Sequence, residues 1–356
     1  MDKAIKLNFE GQDFFIGIDT HKKDWKVSIR HNNMQIRRFS MNPSPEELYR
    51  YMERNYPKAN YHSVYEAGFC GFWIHRRFTE LGINNIVVHS PDVPTSDKEK
   101  QTKSDRVDAG KLSRELENRS LKSIYIPDEK HEQLRSLFRL YHKCTVSSTR
   151  VKNRIKGHLY LHGINPPSNI EMSHWSGKFI KWLQDLDFSY APGKCYLDLC
   201  LEELLQHRQR RLTILRNLRG YCREYKINGV IKNLCTLPGI GFKTAIALYT
   251  EVVDINRFPS LDHLRAFAGL VPSLRGSGDH IINNGIAKRR NKYLRHLLIE
   301  ASWIAVRHDP ALLEAFDRLA RRMKKQDAII RIAKKLLNRI RYVWKNDTPY
   351  VPGVVE

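Results

Sequence analysis

The sequence predicts a chain that begins with an α/β domain and continues as helices. From residue 12 to about 127, short apolar runs alternate with charged amphipathic segments, which is typical of strands and helices alternating in a mixed sheet. From 128 to 225, apolar residues recur every three or four positions, which is typical of long helices. Residues 226–345 are again helical and strongly basic, and we expect the tail, 346–356, with its prolines and glycine, to be unordered.

The composition indicates a polyanionic partner. The 356 residues include 61 Lys and Arg against 38 Asp and Glu, a formal net charge of +23, and such an excess is typical of nucleic-acid-binding proteins. An acidic membrane surface is the alternative, but no apolar run approaches the ~20 residues of a transmembrane helix. The N-terminus lacks the apolar stretch of a signal peptide, and the six cysteines form no CxxC pair. We therefore expect a cytoplasmic protein without a membrane partner.

Two predicted strands of the first domain end in carboxylates. The first, "FFIGID", is a nearly continuous apolar run that ends in Asp19, and a second β stretch follows after a charged turn. After a helix N-capped by Ser44, the strand "YHSVYEAG" ends in Glu66; a helix and the strand "NNIVVHSP" then follow. Burying an unpaired carboxylate costs several kcal/mol. Asp19 must therefore lie at an exposed strand end or beside a positive charge.

A second pair of carboxylates follows in "TKSDRVDAG". Asp105 and Asp108 are three residues apart at the start of a predicted helix, so both face one side of its first turn. Singly, each acid can be explained by the helix dipole or by an arginine partner. Jointly, the four acids can converge on one small volume, where divalent cations would relieve their repulsion. Mg²⁺ prefers carboxylate oxygens together with substrate phosphates, and two ions can clamp a phosphodiester. Asp19 is then best explained as a metal ligand.

The middle region has two interpretations. Its long helical stretches, broken at Pro166 and Pro167, are compatible with packing inside one helical bundle. They are also compatible with a dimerising coiled coil, although fewer than four clean heptads are present and Arg208 and Arg211 interrupt the repeat.

The basic third region carries two candidate phosphate-binding motifs. "CTLPGIGFK" resembles a helix-hairpin-helix, in which Gly239, Gly241 and Lys243 would contact a nucleic-acid backbone; a turn between core helices is the alternative. Further on, Ser277 lies between two glycines in a predicted loop, which would let a bulky phosphate approach, although a flexible turn is the commoner explanation. Three cations that could stabilise a developing charge follow: Lys288, Arg289 and Arg290.

Taken together, "IGIDTHKKDWKVSI", "YEAGFCGFWIHRRF" and "KSDRVDAGKL" resemble the DEDD recombinases of bacterial insertion sequences, to which the pilin-gene invertase Piv is related. The resemblance implies a RuvC-like RNase H fold for residues 12–127. It also implies four Mg²⁺ ligands: Asp19, Glu66, Asp105 and Asp108. The third region resembles the C-terminal transposase domain of that family, in which the serine matching Ser277 is the nucleophile that bonds to DNA. Gly276 stands where members commonly have a serine, and Arg290 stands where a glycine is usual.

The resemblance implies the transposase of an insertion sequence, associated with the nucleoid in a bacterial cytoplasm. Its implied partners are the DNA of the element ends and target, and a structured noncoding (bridge) RNA. Strand cleavage and exchange would require Mg²⁺ and pass through a phosphoserine linkage, in composite sites of a dimer or tetramer. Residues 128–225 would then link and dimerise, and residues 226–345 would form the transposase domain. One alternative is a metal-dependent Holliday-junction resolvase or nuclease that uses water, with Ser277 structural. The other, a nucleic-acid-binding protein with a decayed site, is disfavoured because all four acids and Ser277 are present.

Overall fold

The structure is a computed structural model. It describes residues 8–94, 105–167, 174–277, 280–286 and 291–352. For residues 105–107, 273–277 and 280–286 it describes the backbone only. The chain divides into two compact units, Met1–Ile126 and Pro127–Glu356.

A mixed five-stranded sheet with strand order β3-β2-β1-β4-β5 organises the first unit. The strands are β1 (Asp13–Thr20), β2 (Trp25–His31), β3 (Met34–Met41), β4 (Asn60–Glu66) and β5 (Asn84–Val88). The helices are α1 (Pro45–Asn55), α2 (Trp73–Glu80) and α3 (Asp105–Glu117). Strands β1, β2 and β3 are antiparallel neighbours, whereas β4 pairs parallel with β1, and β5 pairs parallel with β4. The predicted α/β class is confirmed for this unit.

Helices cover both faces of this sheet. On one face, Ile16 and Ile18 of β1 pack in a buried cluster with Leu48 of α1 and Phe78 of α2. On the other face, α3 packs over β1, β2 and β4, and its Leu112 forms a small cluster with Val64, Val88 and Val93. Because β1 is covered on both sides, its apolar run is nearly continuous, as the sequence predicts.

The second unit contains nine helices and one β-hairpin within the described residues. The helices are α4 (Glu129–Leu161), α5 (Gly177–Gln184), α6 (Ala191–Glu224), α7 (Asn228–Cys235), α8 (Phe242–Val252), α9 (Leu261–Ala268), α10 (Lys292–His308), α11 (Pro310–Ala320) and α12 (Lys325–Asn346). The hairpin consists of β6 (Pro272–Ser277) and β7 (His280–Ile286), which are antiparallel.

The two long helices, α4 and α6, pack against each other in antiparallel orientation. Phe138 near the start of α4 shares a buried cluster with Leu218 near the end of α6. Leu159 at the end of α4 shares another with Leu197 at the start of α6. The apolar repeat of the middle region is therefore used, at least in part, for packing within one chain.

The expectation of an unordered tail is wrong for residues 347–352. The Tyr350 hydroxyl donates to Asp309 Oδ2 at 2.5 Å, and its backbone N–H donates to Thr236 Oγ1 at 2.7 Å. Burial, followed by this bond to Asp309, raises the pKa of Tyr350 to about 12. Tyr350 therefore helps to hold this Pro-containing segment on the helices.

Candidate functional site

Asp19 and Glu66 lie at the carboxyl ends of neighbouring parallel strands. The register pairs Ile18 of β1 with Tyr65 of β4, so the next residue of each strand stands beside the other, about 4.8 Å away across the ladder. Because side chains alternate between faces, both carboxylates point to the face that carries Gly17 and not to the one that buries Ile18. Both residues are half-buried.

Helix α3 crosses the same face of β1 in backbone contact. A Cβ atom placed on Gly17 would lie 2.1 Å from the carbonyl oxygen of Ala109 and 2.4 Å from the backbone nitrogen of Ser113. Only glycine therefore permits this approach. The buried hydroxyl of Ser113 also bonds to Ser28 Oγ on β2, at 3.0 Å.

The direction of α3 follows from its last turn. Glu117 accepts from Arg30 Nε at 2.7 Å and from the backbone N–H of Asn33 at 2.7 Å. Arg30 pairs with Phe15 near the start of β1, so the carboxyl end of α3 lies there. The amino-terminal turn of α3, which carries Asp105 and Asp108, therefore lies toward the opposite end of β1, where Asp19 is. The backbone therefore brings the segments that carry all four acids to the end of the sheet at which β1 and β4 finish.

The side chains do not form a closed metal cluster in the described part of the chain. No group of three or more His, Cys, Asp and Glu side chains is close enough to hold an ion there, and the side chain of Asp105 lies outside the described residues. The donors that share this end of the sheet are nevertheless carboxylate oxygens, the chemistry that Mg²⁺ prefers. The donor set therefore fits a hard divalent cation.

Two neighbours of Asp19 are clarified by the structure. His21 Nε2 lies 3.1 Å from Asp19 Oδ2, a contact that sequence reasoning missed although His21 is only two residues away. Asp24, in the turn before β2, pairs with a different residue: the Lys26 ammonium donates to it, and this hydrogen bond lowers the pKa of Asp24.

Ser277 is the last residue of β6 and pairs with His280, so only residues 278–279 connect the two strands. The prediction of a loop at Gly276 and Ser277 is therefore wrong: both belong to a strand. The strands of this short hairpin are rich in polar residues and glycine, so they lack the alternation of apolar and polar residues by which a strand is predicted. The predicted cations Lys288, Arg289 and Arg290 lie outside the described residues.

A buried carboxylate anchors the chain where it leaves this hairpin segment. Glu251 is 2% exposed and accepts from Arg139 Nε and Nη2, both at 2.8 Å, and from Asn291 Nδ2 at 2.7 Å. Asn291 in turn caps α10, since its Oδ1 accepts from the backbone N–H groups of Tyr293 and Leu294. Sequence reasoning missed this network, because nothing local connects residues 112 positions apart.

A short turn joins α7 and α8, as both the helix-hairpin-helix interpretation and its alternative, a turn between core helices, expect. Gly239 has φ +79°, and a Cβ there would lie 2.2 Å from the carbonyl oxygen of Ala301 in α10. Packing against α10 therefore explains Gly239 without any ligand. Gly241 begins α8 with extended backbone, and both it and Lys243 are exposed. These two positions are the ones available to a phosphate.

The described residues contain no helix that is long and apolar enough to cross a membrane. All six cysteines are free thiols, and three of them are buried among apolar residues.

Comparison with known proteins places both units in one family. Residues 16–164 match the DEDD transposase model of IS110-type elements, and residues 231–317 match the "Transposase IS116/IS110/IS902 family" model. The putative transposase y4qE of Sinorhizobium fredii is 26% identical over 296 residues, which are 82% of this chain and 72% of that protein. The transposase of insertion sequence IS1111A from Coxiella burnetii is 28% identical over 251 residues, 69% of this chain and 66% of that protein.

A shorter similarity extends to an invertase. The pilin gene-inverting protein of Moraxella bovis is 33% identical over 120 residues, 33% of this chain and 37% of that protein. The two family models match separate parts of this chain in the order in which the sequence motifs occur. The chain belongs to the IS110 family of DEDD transposases, and it is a DNA transposase.

Proposed function

We propose that this transposase cuts and exchanges DNA strands with Asp19, Glu66, Asp105 and Asp108 as Mg²⁺ ligands and Ser277 as the nucleophile. The observation that carries the metal site is the crossing of α3 over Gly17, which directs the acid-bearing turn of α3 toward Asp19 and Glu66. The strand order, with three antiparallel strands followed by two parallel ones, supports the RuvC-like RNase H fold. Bound Mg²⁺ would stabilise charge on the phosphate and orient it.

In the proposed reaction, Ser277 Oγ attacks phosphorus, a serine–phosphate bond forms, and the bond to the leaving sugar oxygen breaks. The hydroxyl proton passes to solvent or to a neighbouring base, and the leaving oxygen acquires a proton. The phosphodiester energy is kept in the covalent adduct, so a second strand end can reverse the step. The family resemblance, in which the matching serine is the nucleophile, supports this role for Ser277, the last residue of β6.

The nucleic-acid partners are inferred from charge and family. A net charge of +23 suits a protein that holds the DNA of the element ends and target. The same charge is sufficient for a structured guide RNA, which the family resemblance implies and which we include in the proposal. Gly241 and Lys243 at the start of α8 would contact a phosphate backbone without reading its sequence. The cytoplasm of a bacterium, at the nucleoid, is the compartment in which such substrates occur.

We further propose a dimer or tetramer with composite sites. Several large apolar side chains on α4 and α6 are exposed by 38–62% although the helices already pack together: Leu140, Val146, Leu199, Leu205 and Leu212. A groove of about 530 Å³ lies between the two helices, with Leu140, Cys144 and Ile214 in its lining. An apolar surface of this kind is typical of a helical dimer interface.

One substitution tests the metal site, and a second separates this mechanism from that of a metal-dependent Holliday-junction resolvase that uses water. Asp19→Asn, or excess EDTA, should abolish cleavage but retain DNA binding, because phosphate contacts elsewhere supply most of the affinity. Ser277→Ala should eliminate a denaturation-resistant protein–DNA adduct, whereas the control Ser273→Ala should retain it. Wild-type cleavage by Ser277→Ala with free ends and no adduct would establish the resolvase mechanism instead.

Mixing the two inactive variants tests the composite site. If one protomer supplies the acids and another the serine, Asp19→Asn and Ser277→Ala protein should together recover part of the activity that each lacks. No recovery, with mixed oligomers demonstrated on DNA, would show that each chain builds its site alone.

A further inference from the structure

Two large aromatic side chains in the segment that follows β4 are exposed. Phe69 is 63% exposed and Trp73 is 49% exposed, and both follow Glu66 closely in the chain. Most aromatic side chains of the first unit are buried or half-buried; the other strongly exposed one is Tyr125, at 42%. Exposing a phenyl ring to water opposes the hydrophobic effect, so a ring held outward at a functional edge indicates a binding surface.

The loop that carries Phe69 is attached to the sheet through contacts with β4 and β1. The buried hydroxyl of Tyr65 donates to the Gly71 carbonyl at 3.1 Å and accepts from the backbone N–H of His75 at 3.3 Å. The Cys70 thiol lies 3.6 Å from Thr20 Oγ1, at the end of β1 and next to Asp19. The chain is therefore held in place immediately after Phe69, and the exposure of the ring does not require a flexible segment.

A cation stands over the exposed ring. Lys22 Nζ is 5.9 Å from the centre of the Phe69 ring, and Lys22 itself is exposed in the turn between β1 and β2. Among the described residues, Lys22 is the one charged or aromatic group found in contact with the Phe69 ring. An aromatic face paired with a flexible ammonium is the combination with which proteins bind a nucleotide, the ring stacking on the base and the cation contacting the phosphate.

We infer that Phe69, together with Lys22, binds an unpaired nucleotide of the DNA strand next to the scissile phosphate. The inference rests on the proposed function, because it takes the edge with Asp19 and Glu66 as the place where that phosphate binds. A base offers its face to a ring only when it is unpaired or at a strand end. Strand exchange requires the bases beside the cut to separate from their partners, so such a nucleotide exists in the reaction.

The experiment compares two DNA substrates on the full chain. One is a fully paired duplex, and the other has the same sequence with four unpaired nucleotides on one strand; both carry a fluorescent label, and Ca²⁺ replaces Mg²⁺. Phe69→Ala should weaken binding of the gapped DNA by about 10-fold or more, the range expected for one lost base–aromatic stack. It should leave binding of the paired duplex unchanged. Because the ring is exposed, the melting temperature should stay that of the wild type.

Two controls decide between stacking and other contacts. Phe69→Trp should bind as the wild type does, whereas Phe69→Leu should behave like the alanine variant, because leucine keeps apolar area but has no π face. Met34→Ala removes another side chain, 67% exposed, at the opposite end of the same sheet, and should bind both DNAs normally.

Three results would overturn the inference: unchanged binding of gapped DNA by Phe69→Ala, full binding by Phe69→Leu, or an equal loss of paired-duplex binding by Phe69→Ala. Cleavage by Asp19→Asn is measured in parallel. If Asp19→Asn is inactive while Phe69→Ala binds normally, the metal site stands and the stacking surface is refuted. The reverse pattern refutes the metal site and leaves Phe69 as a nucleotide-binding residue that is not next to the scissile phosphate.

Discussion

Substitution of Gly17 by alanine tests how the four acids are brought together. The added methyl group would meet two backbone atoms of α3, at 2.1 and 2.4 Å, where an ordinary Cβ contact is 3.4–4 Å. The shortfall to the Ala109 oxygen is about 1.3 Å. Backbone atoms cannot rotate away as a flexible side chain can, so α3 must move outward by roughly that distance or the unit must lose stability.

The expected cost has two parts. Overpacking of this kind typically lowers the free energy of unfolding by about 1–3 kcal/mol. A displacement of about 1 Å in a group that positions catalytic residues can lower the rate about 100-fold. Because Asp105 and Asp108 move with α3 while Asp19 and Glu66 stay on the sheet, we expect cleavage to fall much more than DNA binding.

The assay is cleavage of a labelled DNA target under single-turnover conditions, with binding measured separately by fluorescence anisotropy and stability by thermal unfolding. Gly157→Ala is the matched control, because the added methyl group at this position of α4 meets nothing within 4 Å. Alanine in the middle of a helix should stabilise it by up to about 1 kcal/mol. A Gly17→Ala protein with wild-type stability and cleavage rate would refute the close crossing of α3 over β1.

Three further predictions concern the second unit. Lys243→Ala should weaken binding uniformly across DNA sequences and lower the slope of log affinity against log salt by about 1, as measured by titrations at several salt concentrations; an unchanged slope would exclude a phosphate contact there. Glu251→Ala should lower the free energy of unfolding by about 3 kcal/mol, measured by denaturant titration, because it leaves Arg139 and Asn291 without their buried acceptor; a loss under 1 kcal/mol would contradict this. Burial raises the pKa of Cys222 to about 11 from 9.0, because the buried site favours the neutral thiol over the thiolate. The stability that the neutral thiol contributes is therefore complete below pH 9 and is lost as the pH rises to 11, about 2–3 kcal/mol in all. The melting temperature of Cys222→Ala should therefore fall less between pH 8.5 and 10.5 than that of the wild type, whereas a fall equal to the wild type's would assign the alkaline loss to other groups.

The buried strands of the first unit were predictable from sequence, and the exposed one was not. Strands β1 and β4 each carry a run of apolar residues that ends in an acid, and both features survive in the structure. Strand β3 was not predicted. It lies at the edge of the sheet, where most of its side chains are exposed, among them Arg37 and Arg38. Charged residues on an edge strand discourage pairing with other chains, and they also remove the apolar alternation by which a strand is recognised.

The middle region could not be assigned from sequence for a different reason. An apolar residue every three or four positions buries one side of a helix equally well against its own chain or against a second copy. Phe138 and Leu218 are buried against their own chain. Leu199 and Leu212 are exposed, so packing of these residues against a second copy stays a prediction. The Glu251 network was beyond sequence reasoning altogether, since it depends on contacts between three distant segments.

The late position of α3 in the chain also has a consequence for synthesis. Val64 and Val88 are at most 1% exposed, and on their face of the sheet α3 is the helix that covers them. A nascent chain that has not yet reached residue 105 therefore has the whole sheet but presents this apolar face to water. Such a truncated product would expose this apolar face and would be prone to aggregation and proteolysis. Synthesis must therefore reach the end of α3 before the first unit is protected.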